Sequence, residues 1–226
     1  MGVYSPSFTL SHGPLPSLTV NATLETYRPL PPAFPSMNIV ESFGEALGSH
    51  IWDSSLAASR WLCDQGGEIK GKAVIELGAG LGVAGIVCAS LAAGRVLVTE
   101  QPLPGLIELL SRNAAERGCE VGPLVWTCEA LPSHVASQFD VAIAADVLYV
   151  DVQMWQALAA TARGALRGAG GVFVLAQKHR ESEDMSREQR LAAFEQVCEG
   201  AGLRRVPGRG GSEWCDGVDI VVFEVS

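Results

Sequence analysis

No apolar run in this 226-residue chain approaches the roughly 20 residues that an α-helix needs to span a bilayer; the longest, residues 83–93, falls well short. Basic residues are scarce. Sixteen Lys and Arg face 25 Asp and Glu, a net charge of −9, and such a chain has no general attraction for polyanions. Nucleic acid and membrane are therefore not expected partners, and a basic protein surface suits better. The six cysteines include no Cys-x-x-Cys pair and sit mostly in apolar runs, which reads as buried free thiols in a reducing compartment. Residues 1–10 lack a positive cluster followed by an apolar stretch, so nothing resembles a secretory signal, and the sequon Asn21-Ala22-Thr23 reads as chance. The expected location is the cytoplasm, with the nucleus as a second compartment. His12, His50 and His134 have no metal-ligand spacing, so no metal site is expected. The absence of a Gly-x-Ser-x-Gly elbow and of a Cys–His pairing sets hydrolases aside. No repeat of 20–50 residues is visible.

What is present is 48% hydrophobic and 18% charged residues, enough apolar mass for one domain with a large core. The first 48 residues differ from the rest. Short β-like pieces at 8–10 and 18–20 alternate with prolines at 14, 16, 29, 31, 32 and 35, which reads as an arm with a hairpin and a Pro-rich connector. Residues 49–226 form the main domain. A helix is expected over 51–63, stopped by Gly66-Gly67. Strands are expected at 73–77, 95–99, 122–126, 139–145 and 171–176, with helices at 83–92, 103–117 and 152–166 between them. Such alternation, with strands apolar on both faces, predicts a Rossmann-like α/β fold: a doubly wound, seven-stranded, mostly parallel sheet covered by helices. A polar helix near 187–200, a Gly-rich turn at 208–211 and a final run at 218–225 would close the sheet with an antiparallel edge pair.

The densest chemical signal is Val74-Ile75-Glu76-Leu77-Gly78-Ala79-Gly80-Leu81-Gly82-Val83-Ala84-Gly85. A strand runs through alternate glycines into a helix, so backbone amides can approach a ligand that side chains would block. The spacing Gly80-x-Gly82-x-x-Gly85 also satisfies a dinucleotide fingerprint, with Glu100 twenty residues after Gly80. Glu76 separates the readings: its carboxylate would repel a pyrophosphate and attract an ammonium or sulfonium. Gly66-x-x-x-x-Gly71-Lys72-Ala73 nearly spells a phosphate loop, but it has Ala at the hydroxyl position and precedes a strand.

The fourth parallel strand ends in Ala145-Asp146-Val147-Leu148-Tyr149, and in an open α/β sheet the crevice lies beyond the carboxyl ends of the strands. Asp146 and Tyr149 should therefore face the same crevice as the glycines. Lys178-His179-Arg180 follows the fifth strand and reads as a solvated loop. The alternatives there are His179 assisting a proton's departure and Arg180 holding an acidic patch of a partner.

The glycine turn with an acid closing strand two resembles the S-adenosylmethionine sites of seven-β-strand methyltransferases. The Asp146-x-x-Tyr149 spacing, with Gly48-x-x-Ile51-Trp52-Asp53, Thr99-Glu100 to Asn113 and Leu124-Val125-Trp126, resembles methyltransferase family 16, which acts mostly on lysines of non-histone proteins. The resemblance implies a cofactor-binding set of Trp52, Glu76, Gly78, Ala79, Gly80, Glu100, Gln101, Trp126 and Ala145, with S-adenosyl-L-methionine as cofactor. Glu100 stands where the family usually has Asp, so its longer side chain must retract to reach the ribose hydroxyls. The resemblance implies a catalytic pair, Asp146 and Tyr149, and a protein substrate of the chaperone, elongation-factor or AAA ATPase kind. On that reading Asp146 draws a substrate ammonium in, and Tyr149 with strand-end carbonyls aims it. The alternatives are methylation of another residue type or a small molecule, an NAD(P)-dependent oxidoreductase, and an inactive cofactor-binding interaction module.

Overall fold

The computed structural model describes residues 7–11, 17–21, 39–42, 47–103, 105–180, 185–212 and 214–226. The arm contributes three antiparallel strands, β1 (Ser7–Ser11), β2 (Ser17–Asn21) and β3 (Ile39–Ser42), in the order β1-β2-β3. The expected β pieces at 8–10 and 18–20 pair with each other, Phe8 opposite Val20 and Leu10 opposite Leu18. The Pro-rich connector lies outside the described residues. Ile39 is fully buried in the core of the main domain, which ties the third strand to it.

Seven strands make the main sheet: β4 (Ala73–Leu77), β5 (Arg95–Glu100), β6 (Glu120–Pro123), β7 (Val141–Ala145), β8 (Val172–Lys178), β9 (Leu203–Gly211) and β10 (Val218–Val225). Their order is β6-β5-β4-β7-β8-β10-β9. The five from β6 to β8 run parallel. The chain's last strand, β10, is antiparallel to β8 and to β9, so it lies one place in from the edge and β9 is the edge itself. Every residue of β4 is buried, as a strand covered on both faces requires.

Alternate residues face two cores. Val74, Val96, Val98, Val141 and Ile143 pack under α1 (Asp53–Asp64), α3 (Val83–Ser90) and α4 (Leu106–Ala114), numbering as α2 the short turn Gly66–Ile69. Ile75, Leu77, Ala142, Ala144, Phe173 and Phe223 pack under α5 (Val152–Ala165) and α6 (Arg187–Gly200). The second core is centred on aromatic rings: Phe173 stacks on Phe223, and Phe194 meets both edge-on. Asp151 caps α5 through the Gln153 amide, and Ser186 with Gln189 makes a capping box for α6.

Three local expectations shift. The third parallel strand ends at Pro123, not at 126: the Leu124 amide still donates to the Glu100 carbonyl at 2.9 Å, and β5 itself stops at Glu100, so residues 124–126 leave as an irregular segment. Gly66-Gly67 opens the short α2 after α1 has ended. Residues 208–211 are not a turn but the second half of β9. Gly210 has φ 101° beside a register shift against β10, and a Cβ there would stand 2.2 Å from the Ile220 carbonyl oxygen, so the glycines permit a bulge. Among the described residues, no helix is long and apolar enough to cross a membrane.

Candidate active site

The connections from β4 to β5 and from β7 to β8 depart to opposite faces, so β4 and β7 flank the switch point where a ligand crevice is expected. A cavity of about 230 Å³ opens there. Trp52, Glu76, Gly78, Ala79, Gly80, Glu100, Gln101, Trp126, Ala145, Asp146 and Tyr149 all line it. The structure thus brings together every residue of the expected cofactor-binding set and catalytic pair. Arg180, given a loop role from the sequence, lines it too, as do Leu47, His50, Val125 and Met154.

Gly78, Gly80 and Gly82 all adopt positive φ, at 66°, 54° and 79°. Close approach explains two of them. A Cβ on Gly78 would stand 2.8 Å from Cζ2 of Trp126, whose ring lies against the turn, and one on Gly80 would stand 2.8 Å from the Gly48 carbonyl oxygen. The turn is held from below. Glu76, the penultimate residue of β4, is almost completely buried, and its Oε2 accepts from the Gly85 amide at 2.7 Å in the first turn of α3. Burial pushes the Glu76 carboxyl up to about 8, against the pull of the Gly85 and Ala84 amides. The sequence reading treated this acid as a ligand-facing charge; the structure shows that it also holds the helix N-terminus.

Glu100, at the end of β5, accepts from the Gly80 amide at 2.8 Å through Oε2 and from its neighbour Gln101 at 2.7 Å through Oε1. The longer side chain does retract, folding over the turn. Burial raises its pKa, and the two amides oppose that rise. Each oxygen keeps a second lone pair for a hydroxyl donor. Thr99 ties the two strand ends together: its hydroxyl donates to the Glu76 carbonyl at 2.6 Å, and its own carbonyl accepts from the Ala79 amide at 2.8 Å.

Trp52 stands at the start of α1, its indole N–H donating to the Leu47 carbonyl at 3.1 Å. Across the cavity Tyr149 is half-exposed; burial raises its phenol pKa, and the Glu100 and Asp146 carboxylates add to the rise, so it stays a neutral donor. Asp146 is buried, and both of its oxygens are already taken. The Arg180 guanidinium forks onto them, Nη1 to Oδ1 at 2.8 Å and Nη2 to Oδ2 at 2.6 Å. The carboxylate expected to draw in an ammonium is thus already paired within the protein, and the solvated-loop reading of residues 178–180 is corrected. Arg180 reaches into the site and lies over the Trp52 ring, 5.4 Å from its centroid. Lys178 pairs with Asp53 at 2.8 Å. His179 is not among the lining residues; its amide donates to the Gly217 carbonyl at 2.7 Å. Of the cysteines, Cys63, Cys88 and Cys198 are buried as expected, whereas Cys128 is exposed.

The lining carries three acids, Glu76, Glu100 and Asp146, and one guanidinium, Arg180. Burial holds Glu76 largely protonated at neutral pH and Asp146 is paired with Arg180, so Glu100 is the acid left to face a ligand, and a diphosphate finds no uncommitted guanidinium among the described lining residues.

Compared with known proteins, residues 33–192 match the family described as lysine methyltransferase. The chain is similar to mouse EEF1A lysine methyltransferase 3, at 33% identity over 150 residues that cover 64% of this chain and 62% of the mouse protein. It is also similar to zebrafish protein N-lysine methyltransferase METTL21A, at 32% identity over 108 residues, 45% of this chain and 48% of that protein. The chain thus spans less than two thirds of the length of these relatives. Among solved structures, magnesium protoporphyrin IX methyltransferase from Synechocystis, with bound SAM, superposes with a TM-score of 0.57 at 16% identity, covering 76% of this chain and 78% of that one. This likeness concerns the fold.

Proposed function

The chain belongs to the lysine methyltransferase family, and from that premise we propose that it is an S-adenosylmethionine-dependent enzyme methylating a lysine side-chain amine of a protein. The observation that carries the reading is the cavity at the β4/β7 switch point, lined by the glycine turn, two tryptophans and three acids.

The residues present fit the cofactor. Glu100 keeps acceptor capacity for two ribose hydroxyls. Trp126, against Gly78, offers an aromatic surface for a base. Glu100 puts an acidic group where a positively charged ligand gains and a pyrophosphate loses. When bound, S-adenosylmethionine supplies a methyl group on a sulfonium, ready for in-line displacement.

The chain's part in the reaction is to position a neutral amine, and proximity and orientation supply most of the rate. Asp146 and Tyr149 stand together on the wall beyond β7 and mark the acceptor side. The Tyr149 phenol can donate to or accept from the incoming nitrogen, and the half-buried channel disfavours the charged form of a lysine whose reference pKa is about 10.4. Residues 49–226 form the catalytic unit and the preceding arm shapes target choice. The protein works in the cytoplasm, and EEF1A is the first acceptor to try because one relative is named for it.

The test is transfer of tritium from labelled S-adenosylmethionine to purified EEF1A and to a cell lysate, with labelled residues identified by mass spectrometry. Methyl-lysine on a protein that is lost in D146N and Y149F supports the reading. Label confined to small molecules, or full activity in both variants, overturns it.

A further inference from the structure

Asp146 is the most constrained group on the acceptor side. It has φ 58°, a left-handed conformation that residues other than glycine seldom adopt, and its side chain is 3% exposed. Besides the Arg180 fork, Oδ1 accepts from the Gln177 amide nitrogen Nε2 at 3.1 Å. Gln177 is fixed in turn, since its Oε1 accepts from the Leu148 amide at 2.9 Å. The acid is thus gripped from β8 and from the turn behind β7. The other titratable groups near it are Tyr149 from the same turn and Lys178 from β8, with Glu76, Glu100 and His50 elsewhere in the cavity lining.

A buried carboxylate without a partner is costly, and it is relieved by taking up a proton or by pairing with a cation. With Arg180 absent, an entering lysine would serve as that cation and be held as an ammonium, which has no lone pair with which to attack. We infer that Arg180 is a positioning residue for the acceptor: its guanidinium compensates Asp146 from within the protein, so that the amine is received uncharged. The inference rests on the reading of the site as an amine methyltransferase. An arginine suits the task better than a lysine, because it stays protonated, fits both carboxylate oxygens at once and can lie flat over the Trp52 ring.

The test uses n-butylamine as a lysine side-chain surrogate. It is titrated into the protein saturated with S-adenosylhomocysteine, between pH 7 and pH 9, with the fluorescence of the lining tryptophans as readout. For the wild type, apparent affinity should rise about tenfold per pH unit, following the neutral fraction of an amine with a pKa of about 10.4. R180M should bind at least tenfold tighter than wild type at pH 7, with a flattened pH dependence, because Asp146 then takes the ammonium. R180K should keep the wild-type slope, and the double variant D146N/R180M should regain it. A wild-type slope in R180M, or a flat profile in the wild type, would overturn the inference. The two readings fail separately: absence of S-adenosylhomocysteine binding to the wild type counts against the proposed function, while the amine titration can be run without that ligand and still decides the role of Arg180.

Discussion

The Gly80 amide donates to Glu100 Oε2 at 2.8 Å, joining the ligand-facing turn after β4 to the end of β5. Glu100 is therefore both a wall of the cavity and a clamp on its floor. Its replacement by alanine strands a buried amide, at a cost of about 1–3 kcal/mol. E100A should lose that much stability in urea denaturation and at least tenfold in S-adenosylhomocysteine affinity by calorimetry. Unchanged affinity would show that the carboxylate serves the turn alone.

Glu76 makes stability depend on pH. Its folded-state pKa of about 8 lies above the unfolded value near 4.5, so the native state binds the proton more tightly. Its contribution is then fully present below about pH 4.5 and is lost as pH rises to about 8, by a total of roughly 3–5 kcal/mol. Glu76→Gln keeps an acceptor for the Gly85 amide and removes the titration. The wild-type stability minus that of E76Q, from urea curves at pH 5.5 and pH 8.5, should fall with rising pH; an equal difference at both would contradict the burial argument.

Gly80 sits at φ 54°, and its missing Cβ faces a backbone carbonyl that cannot swing aside. G80A should weaken nucleoside binding more than tenfold and destabilise the fold by about 1–2 kcal/mol from the left-handed backbone alone. A crystal structure of the variant should show Gly48 displaced. Wild-type binding would mean that the turn is more plastic than its packing indicates.

Phe194, fully buried among Phe173, Phe223 and Trp155, is not among the residues that line the cavity. F194A should cost about 3–5 kcal/mol while leaving S-adenosylhomocysteine affinity within threefold, separating core packing from ligand binding. A parallel loss of affinity would link the second core to the site.

The parts of this molecule legible in its sequence are those set by local spacing. The glycine turn with Glu76 is read within a dozen residues, because a strand, a tight turn and a helix N-terminus are all short-range devices. Asp146 and Tyr149 follow from the rule that ligands lie beyond parallel strand ends, and the buried strands β4 and β7 from continuous apolar runs. What escapes is decided at long range. The Asp146–Arg180 pair spans 34 residues and exists because β7 and β8 are neighbours, which places the ends of both strands at one crevice; a charged stretch after a strand carries no mark of its partner. The same holds for residues 208–211, whose glycines look like a turn until β10 is laid beside them. The end of β6 was obscured because the apolar residues 124–126 continue the run past Pro123 as an irregular segment at the cavity.

The most direct measurement is calorimetric titration of the intact chain with S-adenosylmethionine and, separately, with NAD. A lining that presents the Glu100 carboxylate, with its guanidinium committed to Asp146, predicts one site per chain for the sulfonium ligand and no heat from the dinucleotide. Binding of NAD in preference, or of neither, would contradict the account.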